Sequence, residues 1–285
     1  MEYLSLNNGT KIATVGIGTF LLKPDEAEQS VKWALANGYD MIDTANAYVN
    51  ERAVGRGIKA SGRKREDIYL STKLWPSVYA RADEAIDETL KRLDTEYIDL
   101  LFLHQPAGDY IGAYQAMERA VKAGKVRSLG LSNFDDTNMD ALKAVLETAE
   151  IVPAFVQVEA HPYFPQTELK KYLEPLGTKV MAWYPLGHGD NNLLKEKIVL
   201  QLAEKYQKSP AQIILRWHTQ VGNVVIPGSK NESHIKENID IFDIAFTDEE
   251  LEMMKALDKK TRYYISTKEQ LENYLQWTPD FEGQK

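Results

Sequence analysis

Four side chains of this 285-residue chain have the types and spacing to move a proton onto a carbonyl oxygen. Asp43 ends the apolar run Met41-Ile42-Asp43, and Tyr48 follows in the next loop. Lys73 ends Tyr69-Leu70-Ser71-Thr72-Lys73, and His104 ends Leu100-Leu101-Phe102-Leu103-His104. A phenol with an ordinary pKa near ~10 is a poor acid at neutral pH, and an ammonium beside it favours the phenolate and lowers that value. An aspartate paired with the lysine holds it charged and in place. A histidine nearby donates a hydrogen bond to a substrate carbonyl oxygen and orients it. Together the four would protonate a developing alkoxide while something else delivers hydride. Each has an ordinary structural use as well: a strand-end Asp caps a helix, a Lys is solvated, a Tyr packs a rim, a His is satisfied in a core. Their coincidence at the ends of successive apolar runs is what points to one cavity.

The elements that must position them follow from periodicity. A hairpin is expected at the start, with a turn at Asn7-Asn8-Gly9. Strands are expected at residues 15–19, 41–43, 68–72, 98–103, 126–131, 155–158, 179–183 and 224–226. Amphipathic helical stretches fall between them, at 25–37, 81–93, 110–123, 137–148, 168–173 and 194–206, with Gly38, Gly124 and Gly177 placed as helix C-caps. Strand and helix alternating in this way demand a parallel sheet, because each crossover returns the chain to the same edge. Eight units in this length fit an α/β fold closed as a (β/α)8 barrel, in which functional groups stand at the C-terminal ends of strands. With no Pro/Ser-rich linker, residues 1–285 are expected to form a single domain. The polar, aromatic tail from about Asp258, with Tyr263, Tyr264, Tyr274 and Trp277, is expected over one mouth of the barrel.

Composition narrows the function classes. The net charge of -8 disfavours nucleic acid as a partner. The absence of cysteine removes disulfides, thiolate metal sites and thiol nucleophiles, and fits a reducing compartment. The five histidines show no metal-ligand spacing, so no metal is expected. No basic-then-apolar leader and no apolar run of membrane-spanning length stand out, which makes a cytoplasmic chain without a membrane partner the expectation. Gly55-Arg56-Gly57-Ile58-Lys59-Ala60 formally matches a relaxed dinucleotide fingerprint, but it lies inside a helical stretch and receives no such role. Arg63-Lys64-Arg65 is expected as a solvated loop.

The same residues carry a family resemblance. The segment from Gly38 to Glu51 (GYDMIDTANAYVNE) resembles the first signature of the aldo-keto reductases. Ser71-Thr72-Lys73-Leu74-Trp75 and Asp99-Leu100-Leu101-Phe102-Leu103-His104 are similar to the family's third- and fourth-strand motifs. Gly130-Leu131-Ser132-Asn133-Phe134, Gln157-Val158-Glu159 and Pro227-Gly228-Ser229 follow in the family's order. The resemblance runs from Gly16 to Phe246 and is nearest the microbial branch with diketogluconate reductases and prostaglandin F synthases. It implies reduction of aldehydes or ketones with NADPH or NADH, by a catalytic tetrad of Asp43, Tyr48, Lys73 and His104 with Tyr48 as the acid. It implies a nicotinamide held by Ser132, Asn133 and Gln157 and stacked on Trp183, with Leu186 and Gly187 near the pyrophosphate. Thr19, Asp43, Ser229, His234 and Asn238 complete the implied cofactor contacts, Asn238 at the adenine. Phe20, Trp75, His104 and His161 are implied as pocket wall, and a monomer as the assembly.

One departure bears on the cofactor. NADPH-preferring members of the family hold the 2′-phosphate with a Lys before the Ser of the last-strand motif and an Arg five residues after it. Here those positions are Gly228 and His234. A phosphate is best held by bidentate arginine and a lysine point charge. Dual or NADH-leaning use is therefore expected, with Lys230 as partial compensation. Two other readings compete: a nicotinamide-nucleotide-binding barrel that senses or builds without turnover, and an aldolase using Lys73 as a Schiff-base nucleophile. Retention of all four tetrad residues argues against the first, and Asp43 with Trp183 against the second.

Overall fold

The computed structural model describes residues 1–285, the side chain of Asn191 excepted. Strands β1 (Tyr3–Ser5) and β2 (Lys11–Ala13) pair antiparallel around the Asn7-Asn8-Gly9 turn, where Gly9 supplies a φ of 82°. Eight further strands follow: β3 (Ile17–Gly18), β4 (Met41–Asp43), β5 (Tyr69–Leu74), β6 (Ile98–Leu103), β7 (Val126–Ser132), β8 (Phe155–Glu159), β9 (Lys179–Trp183) and β10 (Val224–Val225). All are parallel and paired in chain order. Parallel bridges from Val15 to Val225 and from Gly18 to Gly228 join the first strand to the last, and the sheet closes into the expected (β/α)8 barrel.

Side chains from β4, β6, β8, β9 and β10 fill the barrel interior. Met41, Leu100, Phe102, Phe155, Met181 and Val224 are all fully buried there. Leu6, Ile12 and Ala13 of the hairpin join that cluster, and Asn7 and Asn8 hydrogen-bond the backbone ahead of β8 and at the start of β7. The hairpin therefore plugs the end at which the strands begin, and the site is left to the other end.

The helices are α1 (Pro24–Ala36), α2 (Glu51–Ala60), α3 (Ala82–Leu93), α4 (Tyr110–Lys122), α5 (Met139–Thr148), α6 (Thr167–Leu173), α7 (Asn191–Leu194), α8 (Lys197–Tyr206), α9 (Pro210–Gln220), α10 (Glu232–Ile239), α11 (Asp248–Lys255) and α12 (Lys268–Gln276). Their apolar faces bury Val31, Ile58, Ile86, Met117, Leu142 and Leu173 against the outside of the barrel. Gly38, Gly124 and Gly177 take the left-handed conformation at the helix ends where they were expected. The stretch at 194–206 divides, because Glu196 is extended and its carboxylate accepts from Tyr163 and Lys259; α8 starts beyond it. The two glycines of the false fingerprint are packing devices in α2. A Cβ on Gly57 would stand 2.8 Å from the Glu28 carbonyl oxygen, and one on Gly55 2.5 Å from that of Leu93. The Arg63-Lys64-Arg65 segment departs from the solvated reading. Arg63 binds Asp40 and the Tyr39 carbonyl, and Arg65 binds Asp99 and the Tyr97 carbonyl; only Lys64 is exposed.

Beyond α11 the tail crosses the mouth where the strands end, as its composition suggested. Both carboxylate oxygens of buried Glu159 accept its backbone, from Tyr263 N at 2.7 Å and Tyr264 N at 2.9 Å. Trp75 Nε1 donates to the carbonyls of Tyr274 and Trp277, at 3.1 and 3.0 Å. The chain end is tied to the barrel flank by Arg92, which binds Glu282 at 2.6 Å and buried Glu51 at 2.7 Å. Among the described residues no helix is long and apolar enough to cross a membrane.

Candidate active site

Tyr48 stands on a turn of 3-10 helix, Asn46–Tyr48, that the flanking polar side chains hold against the barrel. Asn46 Oδ1 accepts from Trp75 N at 3.0 Å, and Asn50 Nδ2 donates to the carbonyls of Thr19 and Leu22, each at 3.0 Å. Val49 turns the chain into α2 with a φ of 54°, a strained conformation for a β-branched residue. That cost is kept because the turn fixes where the phenol points.

Lys73, 1% exposed, is the hub. Its Nζ donates to Asp43 Oδ2 at 2.6 Å, to the Thr44 carbonyl at 2.8 Å and to Tyr48 Oη at 3.2 Å. All three protons of the ammonium are used. Asp43 accepts in addition from Ser71 Oγ at 2.7 Å and Gln157 Nε2 at 3.1 Å. Its carboxylate is thus compensated in full, which a buried charge requires. The His104 ring lies edge-on to Tyr48, with centroids 5.7 Å apart, and edge-on to Trp75 at 5.0 Å. His104 Nδ1 is buried without a protein partner.

Electrostatics differ from the simplest expectation at one point. Burial opposes the Lys73 ammonium, but Asp43 and Tyr48 outweigh it and raise its pKa, so the lysine stays charged. Burial also pushes the Tyr48 phenol above its ordinary value, against the pull of Lys73. The lysine alone suggested a lowered phenol; desolvation is the larger effect. His104 is driven well below the ordinary imidazole value, first by burial and then by Lys73. At neutral pH the set is therefore a neutral phenol, a neutral imidazole and a buried ion pair.

Asp43, Tyr48 and His104 form the floor of a cavity of about 990 Å³ at the C-terminal ends of the strands. Asp43, Tyr48, His104, Ser132, Asn133, Gln157, Trp183 and Leu186 all line it, as do Phe20, Trp75, Ser229 and His234. Half-buried Trp183 is pinned by its Nε1, which donates to Asn133 Oδ1 at 3.1 Å. Asn133, at a φ of 66°, in turn donates to the His104 carbonyl at 3.1 Å. Five expected residues stand back from the lining. Lys73 lies beneath the floor and touches Tyr48 from below. Thr19 is buried, its hydroxyl 3.2 Å from the Asp43 carbonyl. Gly187 is buried against Leu193, and Asn238 is buried on α10. His161 is fully buried and bound to Glu159 Oε1 at 2.9 Å, so it belongs to the tail's anchor and not to the pocket wall.

The cavity also gathers residues that motif spacing did not single out. Gln105, Tyr264, Tyr274 and Trp277 close the wall above His104, and Glu26 stands at the rim beside Ser229 and the Lys230 already expected there. The aromatic composition of the tail was the one signal for Tyr264, Tyr274 and Trp277. Glu26 had none, since it reads as an ordinary first-turn helix acid.

Comparison with known proteins agrees with this architecture. The model of the aldo/keto reductase family matches residues 13–259. A glyoxal reductase from Bacillus subtilis is 41% identical over 92% of this chain and 94% of its own length. Among solved structures, an aldo/keto reductase from Brucella melitensis superposes with a TM-score of 0.85 at 38% identity, covering 90% of this chain and 99% of that one. A Bombyx mori aldo-keto reductase in complex with NADP gives 0.86 at 34% identity, covering 93% and 95%. With these likenesses along nearly its whole length, the chain belongs to the aldo/keto reductase family.

Proposed function

We propose that this protein reduces aldehydes or ketones to alcohols at the cavity above Lys73, with Tyr48 as the proton donor. Family membership makes the chain an NAD(P)-dependent oxidoreductase acting on carbonyl groups. The observation that carries the assignment of roles is the ammonium of Lys73, which bridges Asp43 Oδ2 at 2.6 Å and Tyr48 Oη at 3.2 Å on the cavity floor.

The donor set beside Tyr48 suits a carboxamide. Ser132 offers a hydroxyl, Asn133 the second lone pair of an amide oxygen that already accepts from Trp183, and Gln157 a side-chain carbonyl left over once its amide donates to Asp43. Trp183 offers a ring face of fixed orientation for an aromatic ring to stack on. A reduced nicotinamide held there would supply the hydride. Everything else falls to this chain's residues. Neutral His104 donates to the carbonyl oxygen and orients it, and Tyr48 gives its proton to that oxygen as negative charge develops. The phenolate left behind is matched by the Lys73 ammonium at 3.2 Å, which Asp43 holds charged. Stabilisation thus grows as the proton leaves, which is the kind that accelerates a reaction. The tail residues Tyr264, Tyr274 and Trp277, with Phe20 and Trp75, wall the cavity around this floor.

Gly228 and His234 leave the adenosine end without the lysine and arginine a 2′-phosphate needs, and we read the cofactor as NADH or either nucleotide. We also read residues 1–285 as one domain, working as a cytoplasmic monomer on small carbonyl substrates without a nucleic-acid partner. NAD(P)H oxidation with a panel of uncharged carbonyls, run beside Tyr48→Phe, tests the main reading. Turnover by the parent and its near-complete loss in the variant, with nucleotide binding retained, is the expected result. Nucleotide binding without turnover by the parent would replace the enzyme reading with a binding role.

A further inference from the structure

The rim of the cavity holds an acidic side chain that this chemistry does not use. Glu26, in the first turn of α1, lines the same cavity as Tyr48, Ser229, Lys230 and His234. Its Oε2 accepts from Lys23 N at 3.0 Å and its Oε1 lies 3.2 Å from Lys230 Nζ. Two ties therefore fix the carboxylate in place. The backbone bond from Lys23, and then Lys230, hold its carboxyl below the usual carboxylate range, so it is charged at neutral pH.

Three facts at this rim act in one direction. Lys230 is the one lysine or arginine lining the cavity among the described residues, and Glu26 already engages it. The adjoining cleft adds Asp25 and Glu232, so the surroundings are net acidic. A longer side chain at 228 has no room: a Cβ there would stand 2.9 Å from the Gly18 carbonyl oxygen, where the first and last strands meet. A basic side chain cannot enter by that route without shifting backbone.

Resting on the reading of this cavity as a nicotinamide-nucleotide site, we propose that Glu26 selects between the two nucleotides. Its carboxylate accepts hydrogen bonds from the adenosine ribose diol of NADH, and it disfavours the 2′-phosphate of NADPH by repulsion and by holding Lys230. A carboxylate on a ribose hydroxyl is how a protein recognises the unphosphorylated nucleotide, and a free cation is how it recognises the phosphorylated one. Glu26 is in this sense a specificity residue at the rim, with no part in proton transfer.

Isothermal titration of the parent and of Glu26→Gln with NADH and with NADPH provides the test, without recourse to turnover. The glutamine carbonyl keeps the cap on Lys23, so the helix start is preserved, while the charge is removed and Lys230 is released. The ratio of the NADPH to the NADH dissociation constant is expected to fall about tenfold, with NADPH binding more tightly. Adding Lys230→Gln to that variant is expected to reverse the NADPH gain. A ratio that stays the same or rises, or two constants that move in parallel, overturns the role of Glu26 and leaves the nucleotide site standing. A parent that binds neither nucleotide overturns both.

Discussion

Lys73 is a buried ammonium whose three protons go to a carboxylate, a backbone carbonyl and the Tyr48 phenol. Replacing it with Met removes the charge that receives the phenolate and leaves Asp43 buried with Ser71 and Gln157 alone. Lys73→Met should lower kcat by about 10²–10⁴-fold, the range of an acid-base contribution, while nucleotide affinity changes little; stopped-flow turnover beside a binding titration checks both. The pH profile follows from two shifts with stated signs. Tyr48 is raised, so the acid form persists upward, and His104 is depressed, so the neutral donor persists downward. The reduction rate at saturating substrate should then be flat from about pH 6 to 9, with no break at the ordinary imidazole value near 6.5. An acid limb centred there would contradict the neutral His104. Asp43, Lys73 and His104 were legible in the sequence because each closes an apolar run that has to be a strand, and Tyr48 because it follows in the loop after the first of them. The direction of the Tyr48 shift was not, since it depends on how dry the floor is, and that is set by Phe20, Trp75 and the tail together.

Between the barrel and its tail, one carboxylate makes two of the tying contacts. Glu159 ends β8, two residues beyond Gln157, and both of its oxygens hold the tail at Tyr263 and Tyr264. Oε1 also meets His161 Nε2 at 2.9 Å. A glutamine there has one acceptor where the tail presents two donors, a loss of about 1.5–3 kcal/mol for a bond to a charged group. Because Tyr264 lines the cavity, Glu159→Gln should raise KM for the carbonyl about tenfold and leave kcat within a factor of about three. Equal loss in both would mean that the carboxylate serves the reaction centre instead of the tail. Strands such as Met41–Asp43, Ile98–Leu103 and Lys179–Trp183 have the bounds expected of them, being apolar runs with abrupt polar ends. The helices after β9 were the least legible. Lys195 and Glu196 interrupt an otherwise continuous amphipathic stretch, and the tail helix Lys268–Gln276 has no buried residue of its own to mark its face. Its place is set by Trp75, more than 190 positions away in the chain, which no local pattern reveals.

The molecule as a whole carries an acid-sensitive element in α9. His218 is fully buried, with Nε2 3.1 Å from the Pro185 carbonyl and Nδ1 2.9 Å from Asn223 Nδ2. A carbonyl only accepts and that amide nitrogen only donates, so the ring is neutral, protonated at Nε2 and accepting at Nδ1. A second proton would break the Asn223 bond inside a dry core. Burial holds the pKa at about 3, against an ordinary 6.5. The sign of the linkage follows: the unfolded chain binds a proton that the folded one refuses, so stability falls as pH drops below about 6.5 and goes on falling toward the folded value. His104, depressed for the same reason, adds to the slope. Each contributes up to about 1.4 kcal/mol per pH unit in that window. Pro185 ties this chemistry to the site, because it lies two residues after Trp183 and lines the cavity. Denaturant unfolding at pH 7, 6 and 5 should therefore show one cooperative transition whose midpoint drops steeply. In His218→Gln, which keeps a donor for Pro185, the parent should be more stable at pH 7 but lose its advantage as pH falls. Parallel pH slopes for parent and variant would show that His218 takes up its proton without leaving the fold, and that the acid sensitivity lies elsewhere.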